Sequence, residues 1–224
     1  MTTILRTENL KREFTQGSLT ITALDDINIS LKEGSLVMLA GRSGSGKTTL
    51  INLMGALDRP SEGKIYFEDK EITNLNDKSR DYLRRNNMGF IFQSVALISV
   101  LNAYENVEFG LRLAQTNSLS WDERVKESLK HVGLEKRINH KPHQLSGGEQ
   151  QRVAIARAIV SKPRIIFADE PTAELDLKTG LKIVNLFRYL VDNENLTIIM
   201  TTHDPNMLEL ADQVIQLEDG RLVK

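Results

Sequence analysis

Nine consecutive residues, Gly41-Arg42-Ser43-Gly44-Ser45-Gly46-Lys47-Thr48-Thr49, carry the spacing G-x-x-x-x-G-K-[ST] and directly follow the apolar run Leu36-Val37-Met38-Leu39-Ala40. Three glycines in so short a stretch let successive backbone N–H groups turn toward one point, and a helix starting there adds the positive end of its dipole. The chemistry this suits is the holding of phosphate oxygens, those of a nucleoside triphosphate. Lys47 is placed to reach the β- and γ-phosphates, Thr48 to ligate Mg²⁺, and Thr49 to bond a more internal phosphate.

Two later apolar runs, Arg164-Ile165-Ile166-Phe167-Ala168 and Leu196-Thr197-Ile198-Ile199-Met200, lead into Asp169-Glu170 and Thr202-His203-Asp204. In an open parallel sheet, ligands gather at the carboxyl ends of the strands, so both polar groups are expected on the edge that bears the glycine-rich loop. Adjacent carboxylates can divide the labour there. Asp169 would hold Mg²⁺, directly or through a water, while Glu170 would take a proton from an attacking water. The plain alternative is that Asp169-Glu170 caps a helix before Pro171. His203 stands at a strand end beside the same site; its plain alternative is a satisfied core or loop histidine.

The elements that must position these residues alternate between strand and helix. Residues 4–31 are rich in β-formers and end at the turn Lys32-Glu33-Gly34, which predicts an antiparallel element ahead of the loop strand. A helix is predicted over 47–57, broken by Asp58-Arg59-Pro60-Ser61-Glu62-Gly63, with strands at 64–67 and 88–92. From there to about residue 145 the pattern is helical. Trp121, Val125, Leu129 and Val132 share one helix face, and Ser120 with Glu123 has the spacing of a capping box. Another helix runs from Glu149 to Val160. The sum is an α/β fold with an antiparallel front end and an inserted helical part.

Composition narrows the partners. With 29 Lys+Arg against 30 Asp+Glu, the chain has no overall attraction for nucleic acid or for an anionic membrane. No cysteine is present, which removes disulfides, thiolate metal sites and thiol nucleophiles together and fits a reducing cytosol. The start Met1-Thr2-Thr3-Ile4-Leu5-Arg6 is charged too early for a secretory signal, and no apolar run approaches the ~20 residues that span a bilayer. Action at a membrane is therefore expected to need another chain.

The octapeptide Leu145-Ser146-Gly147-Gly148-Glu149-Gln150-Gln151-Arg152 resembles the signature of ATP-binding cassette (ABC) proteins. The phosphate loop, Gln93 after Phe90-Ile91-Phe92, the segment 165–170, Asp176 and His203 follow in that family's order over nearly the whole chain. The resemblance implies a P-loop NTPase core with a mostly parallel sheet: one domain over 1–224, with 1–92 and 160–224 as core and about 93–159 as a helical subdomain. It implies an ATPase that works as a head-to-tail dimer, with ATP between the phosphate loop of one copy and Ser146, Gly147 and Gly148 of the other. Physical chemistry agrees, since Ser146-Gly147-Gly148 opens a helix and a helix start offers free N–H groups to phosphate. Gln93 resembles the glutamine that touches Mg²⁺ and the attacking water, and Phe14 the aromatic that stacks on adenine, although an early phenylalanine also suits a core. Glu174 departs from the small or neutral residues common in relatives, where it would repel a phosphate or pair with a base opposite. His140 and His143 have no third ligand, so no metal beyond Mg²⁺ is expected.

The phrases Gly89-Phe90-Ile91-Phe92-Gln93 and Tyr104-Glu105-Asn106-Val107 resemble the bacterial branch of lipoprotein-releasing and macrolide-export ATPases. That branch implies an integral-membrane permease as partner, a place on the cytoplasmic face of the inner membrane, and export or extrusion as the task. The alternative is force transmission to cell-wall enzymes or sensors without transport. Nucleic-acid work is disfavoured, because such relatives carry two cassettes or coiled-coil insertions. The apolar run Ser94–Leu101 either forms the groove that receives a permease helix or belongs to the core.

Overall fold

Strand β3, Leu36–Ala40, lies in the middle of a six-stranded sheet, and its residues are buried on both faces as a strand covered by helices on each side must be. In the computed structural model, which describes residues 2–223, this sheet has the order β10-β9-β3-β8-β7-β6. Its other members are β6 (Met88–Ile91), β7 (Ile165–Ala168), β8 (Thr197–Thr202), β9 (Gln213–Glu218) and β10 (Arg221–Leu222). All pairings are parallel except that of β9 with β10. A second, antiparallel sheet, β2-β1-β4-β5, is built from β1 (Thr3–Gln16), β2 (Leu19–Lys32), β4 (Glu62–Phe67) and β5 (Lys70–Glu71). The α/β class, the parallel sheet and the antiparallel front end match the sequence expectation.

The period-2 alternation of the central strands divides the core. Leu36, Met38, Ile166, Ala168, Ile198 and Met200 face a cluster shared with helices α3 (Ala103–Ala114), α4 (Trp121–His131), α5 (Gly147–Ile159) and α6 (Leu177–Glu194). Val37, Leu39, Ile165, Phe167 and Ile199 face the other way, onto α1 (Lys47–Met54) and the antiparallel sheet. Val125, Leu129 and Val132 are buried and Trp121 packs against them, as their spacing required. Two glycines let α5 approach closely. A Cβ on Gly89 of β6 would stand 2.8 Å from the Ala158 carbonyl oxygen, and one on Gly110 of α3 would stand 2.7 Å from that of Arg157.

Asn106, fully buried on α3, organises the loop after β6. Its Oδ1 accepts the Ile98 N–H at 2.8 Å, while Nδ2 donates to the carbonyls of Ile98, Leu101 and Asn102 at 3.2, 3.1 and 2.9 Å. One amide thus satisfies a loop that has no ladder of its own.

Several boundaries differ from expectation. Helix α1 stops at Met54 instead of residue 57, because Ala56 is left-handed (φ 53°) and Arg80 Nε and Nη2 donate to its carbonyl at 3.0 and 2.7 Å. Arg80 belongs to α2 (Asp77–Asn87), where it is the buried residue, and hence no apolar stripe betrays that helix. Ser120 does not cap α4. It closes a 3₁₀ turn with ψ 9°, so its hydroxyl is not held in the extended geometry a capping box requires, whereas Asn102 and Ser146 have that geometry and form such boxes with Glu105 and Glu149. Strand β6 ends at Ile91, before Phe92, and β8 runs on through Thr202, because Thr201 and Thr202 keep register with Leu39 and Ala40 of β3.

Candidate functional site

The loop between β3 and α1 curls around its own lysine. Lys47 is buried, and its Nζ donates to the carbonyls of Gly41 at 2.8 Å and Arg42 at 3.0 Å. Gly46, at the N-cap of α1, has φ 103°, a conformation closed to most side chains. No side chain caps this helix and no acid stands in its first turn, so its leading N–H groups remain available to an anion. Gly41, Arg42, Ser43, Gly44 and Ser45 line a cavity of about 540 Å³ whose far wall is Thr202, His203, Asp204 and Pro205. Thr48 is exposed and Thr49 half-buried at the start of α1.

The carboxylates lie beside this loop. Thr48 Oγ1 donates to Asp169 Oδ1 at 3.2 Å, and the Asp169 N–H reaches the Ile91 carbonyl at 2.9 Å, tying the end of β7 to that of β6. Glu170 is half-buried with φ 44°, a left-handed conformation that costs a non-glycine residue on the order of 1 kcal/mol. Its Oε1 lies 3.8 Å from Nδ1 of the exposed His203. No helix begins at Asp169-Glu170. The helix after Pro171 is capped by Asp176, which accepts from the Thr179 N–H at 3.1 Å and the Thr179 hydroxyl at 2.6 Å. That hydroxyl bond holds the Asp176 carboxyl below its ordinary range. The structure thus brings Lys47, Thr48, Asp169, Glu170 and His203 together.

The other predicted residues lie apart. Gln93 is exposed two residues beyond β6, and its side chain has no hydrogen-bond partner among the described residues. Ser146 caps α5 in a reciprocal box with Glu149, whose carboxyl the Ser146 N–H holds below its usual range. Ser146, Gly147 and Gly148 share a cavity of about 470 Å³ with Glu174 and Asp176, and none of its lining residues also lines the phosphate-loop cavity. Glu174 makes no ion pair among the described residues; Arg152 and Lys182 line the same cavity. Phe14, on β1 opposite Ile21, is 42% exposed, so it is no core residue, and the Arg12 guanidinium sits 4.4 Å above its ring.

Thr201 was invisible to sequence reasoning. It is fully buried, its hydroxyl donates to Asp169 Oδ1 at 2.8 Å, and its own Oγ1 accepts the Glu170 N–H at 2.7 Å. The one signal in the sequence is a hydroxyl closing an apolar run.

A separate apolar cleft of about 380 Å³ opens between α2, β6 and α3, lined by Leu57, Met88, Phe90, Phe92, Phe109 and Leu113 with Arg84, Arg85 and Arg157 around it. Of the run Ser94–Leu101 only Ala96 lines this cleft. Leu97 packs on the core and Val100 points outward.

The oxygens that converge at Thr48 and Asp169, one hydroxyl and one carboxylate, are hard donors of the kind Mg²⁺ prefers, so this pair fits the ion.

Comparison with known proteins adds four findings. The family model described as ABC transporter matches residues 24–173. An ABC transporter ATP-binding protein of Methanocaldococcus jannaschii, MJ0796, is 43% identical over 223 residues, 98% of this chain and 95% of its own length. The macrolide export ATP-binding/permease protein MacB of Bartonella quintana is 42% identical over 98% of this chain, which spans only 33% of MacB. Among solved structures, a dimeric post-hydrolysis state of the cassette MJ0796 bound to ADP and Pi superposes with a TM-score of 0.90 at 40% identity, covering 99% of this chain and 97% of that one.

Proposed function

This chain belongs to the ABC transporter family and is an ATPase, and from that premise we propose that it hydrolyses Mg-ATP between two copies arranged head to tail and so drives a separate membrane permease, for export or extrusion. The observation that carries the dimer is the division of the chain into two half-sites. The phosphate loop lines one cavity, with Thr48 bonded to Asp169 beside it, Ser146, Gly147 and Gly148 line another, and the N–H groups of Gly147 and Gly148, outside the Ser146–Glu149 box, suit a phosphate presented by a second copy. The dimeric MJ0796 cassette with ADP and Pi supports the same arrangement.

In this reading the phosphate loop and Lys47 bind the triphosphate, Thr48 and Asp169 hold Mg²⁺ with Gln93 joining them, and Thr49 bonds an inner phosphate. The ion, when bound, offsets phosphate charge. Glu170 orients the attacking water and accepts its proton, and His203 stands across from it toward the γ-phosphate. Asp176 fixes the loop at the dimer seam. The core comprises 1–92 and 160–224, and about 93–159 forms the helical subdomain. No helix among the described residues is long and apolar enough to cross a membrane. We place the protein on the cytoplasmic face of the inner membrane, with a permease helix in the cleft beside Phe92, an exposed apolar surface of the kind that a partner covers. The fused ATP-binding and permease parts named in MacB support a permease partner.

The assembly is tested with Glu170→Gln, which should run as a dimer on size exclusion in Mg-ATP; adding Ser146→Arg should return it to monomer. A double variant that dimerises as well as the single one would refute the shared site. Retention of a membrane permease on the tagged protein tests the partner. For adenine stacking, Phe14→Ala should weaken ATP binding by about 1–3 kcal/mol, the value of a base on an aromatic ring, measured by calorimetry; unchanged affinity would leave the exposed ring without that role.

A further inference from the structure

We infer that Thr201 is a positioning residue for hydrolysis, its hydroxyl holding the metal-binding carboxylate and the general base in fixed relation; this rests on the roles proposed above for Asp169 and Glu170. A threonine hydroxyl has one hydrogen to give, and here it goes to Asp169 Oδ1 at 2.8 Å. The lone pair left over takes the Glu170 N–H at 2.7 Å. One oxygen therefore orients the carboxylate of the first residue and anchors the backbone of the next.

The anchor matters because Glu170 has φ 44°. A non-glycine residue stays in that region only where its surroundings over-determine it, and the bond to Thr201 is the side-chain contact that fixes its N–H. Thr201 can serve as a fixed reference. It is β-branched and so stiff about χ1, it is fully buried, and its backbone is in register with Leu39 of the strand that carries the phosphate loop. The neighbouring hydroxyl cannot replace it. Thr202 lies on the opposite face of β8, where it meets Met207 Sδ at 3.8 Å.

Valine keeps the shape and strand preference of threonine but leaves the Glu170 N–H without its buried partner and Asp169 without its orienting donor. In steady-state ATPase assays over a Mg²⁺ titration, Thr201→Val should lower kcat at least about 30-fold and raise the Mg²⁺ requirement about threefold or more, as expected for losing hydrogen bonds to a charged group. ATP affinity measured in chelator should stay within about twofold, because Lys47 and the loop are untouched. Thr201→Ser, which restores the hydroxyl, should recover kcat and the Mg²⁺ requirement to within about threefold of native.

A native kcat in Thr201→Val, or a serine variant as slow as the valine one, would overturn the inference and make Thr201 a packing residue. Should the valine variant fail to fold, Thr201→Ala against Thr201→Ser decides in the same way, since both lose the methyl and only serine keeps the hydroxyl. Glu170→Gln separates the two levels of failure. If it hydrolyses ATP at the native rate, the premise about Glu170 has failed; if it is inactive while Thr201→Val is fully active, only the role of Thr201 has.

Discussion

Glu170→Gln is expected to bind Mg-ATP normally and to hydrolyse it about 10³-fold more slowly, a barrier higher by about 4 kcal/mol and within the range a positioned general base supplies. The amide has the size and shape of the carboxylate, and the features that hold residue 170 are backbone features: its φ of 44° and its N–H bond to Thr201. Those survive the substitution. The capacity to accept a proton does not, and the exposed His203 at 3.8 Å cannot replace it at that position. Phosphate release in the steady state, beside equilibrium binding of labelled ATP, reads the two quantities apart. Turnover at the native rate would remove Glu170 from the chemistry; lost binding would make it a ligand for the nucleotide.

Lys47→Ala is expected to weaken ATP binding by about 3 kcal/mol, roughly 100-fold, as the loss of charge-assisted hydrogen bonds to phosphate implies. The ammonium is buried inside the loop and directed by the Gly41 and Arg42 carbonyls, so its position is set before any ligand arrives. Preorganisation of this kind places the charge where phosphate oxygens converge without an added ordering cost. The central sheet does not depend on it. Circular dichroism and the melting temperature should change little, while calorimetric titration shows the weakened binding and turnover falls with it. An unchanged dissociation constant would refute the loop as a triphosphate site.

What was legible in the sequence was local. The loop spacing around Lys47 lies within nine residues, and Asp169-Glu170 abuts a strand whose unbroken burial its apolar run announced. The stripe Trp121, Val125 and Leu129 belongs to a single helix, which Val132 caps at its carboxyl end. What escaped depends on partners distant along the chain. The early end of α1 follows from Arg80 reaching back 24 residues to the Ala56 carbonyl. The role of Thr201 requires β8 to lie beside β7 with Met200 opposite Ala168, a register that no local pattern encodes. Helix α2 was missed for the opposite reason. It buries so little that hydrophobic period carries no trace of it, although Asn76, accepting the Ser79 N–H at 2.9 Å, is an ordinary start signal. Phe14 could be read either way until the strand pairing turned it outward.

The close seat of α5 against Gly89 and Gly110 makes that helix a lever. Its carboxyl end is pressed backbone to backbone into β6 and α3, where even a methyl group would not fit, so a tilt has its fulcrum near Arg157 and Ala158. From Ser146 to Arg157 the helix gives an arm of about 17 Å, and a swing of only about 10° about that fulcrum carries Ser146 through about 3 Å. That is one hydrogen-bond length. The difference between a signature end that touches a phosphate and one that misses it can therefore be made by an angular change too small to disturb the packing at the pivot.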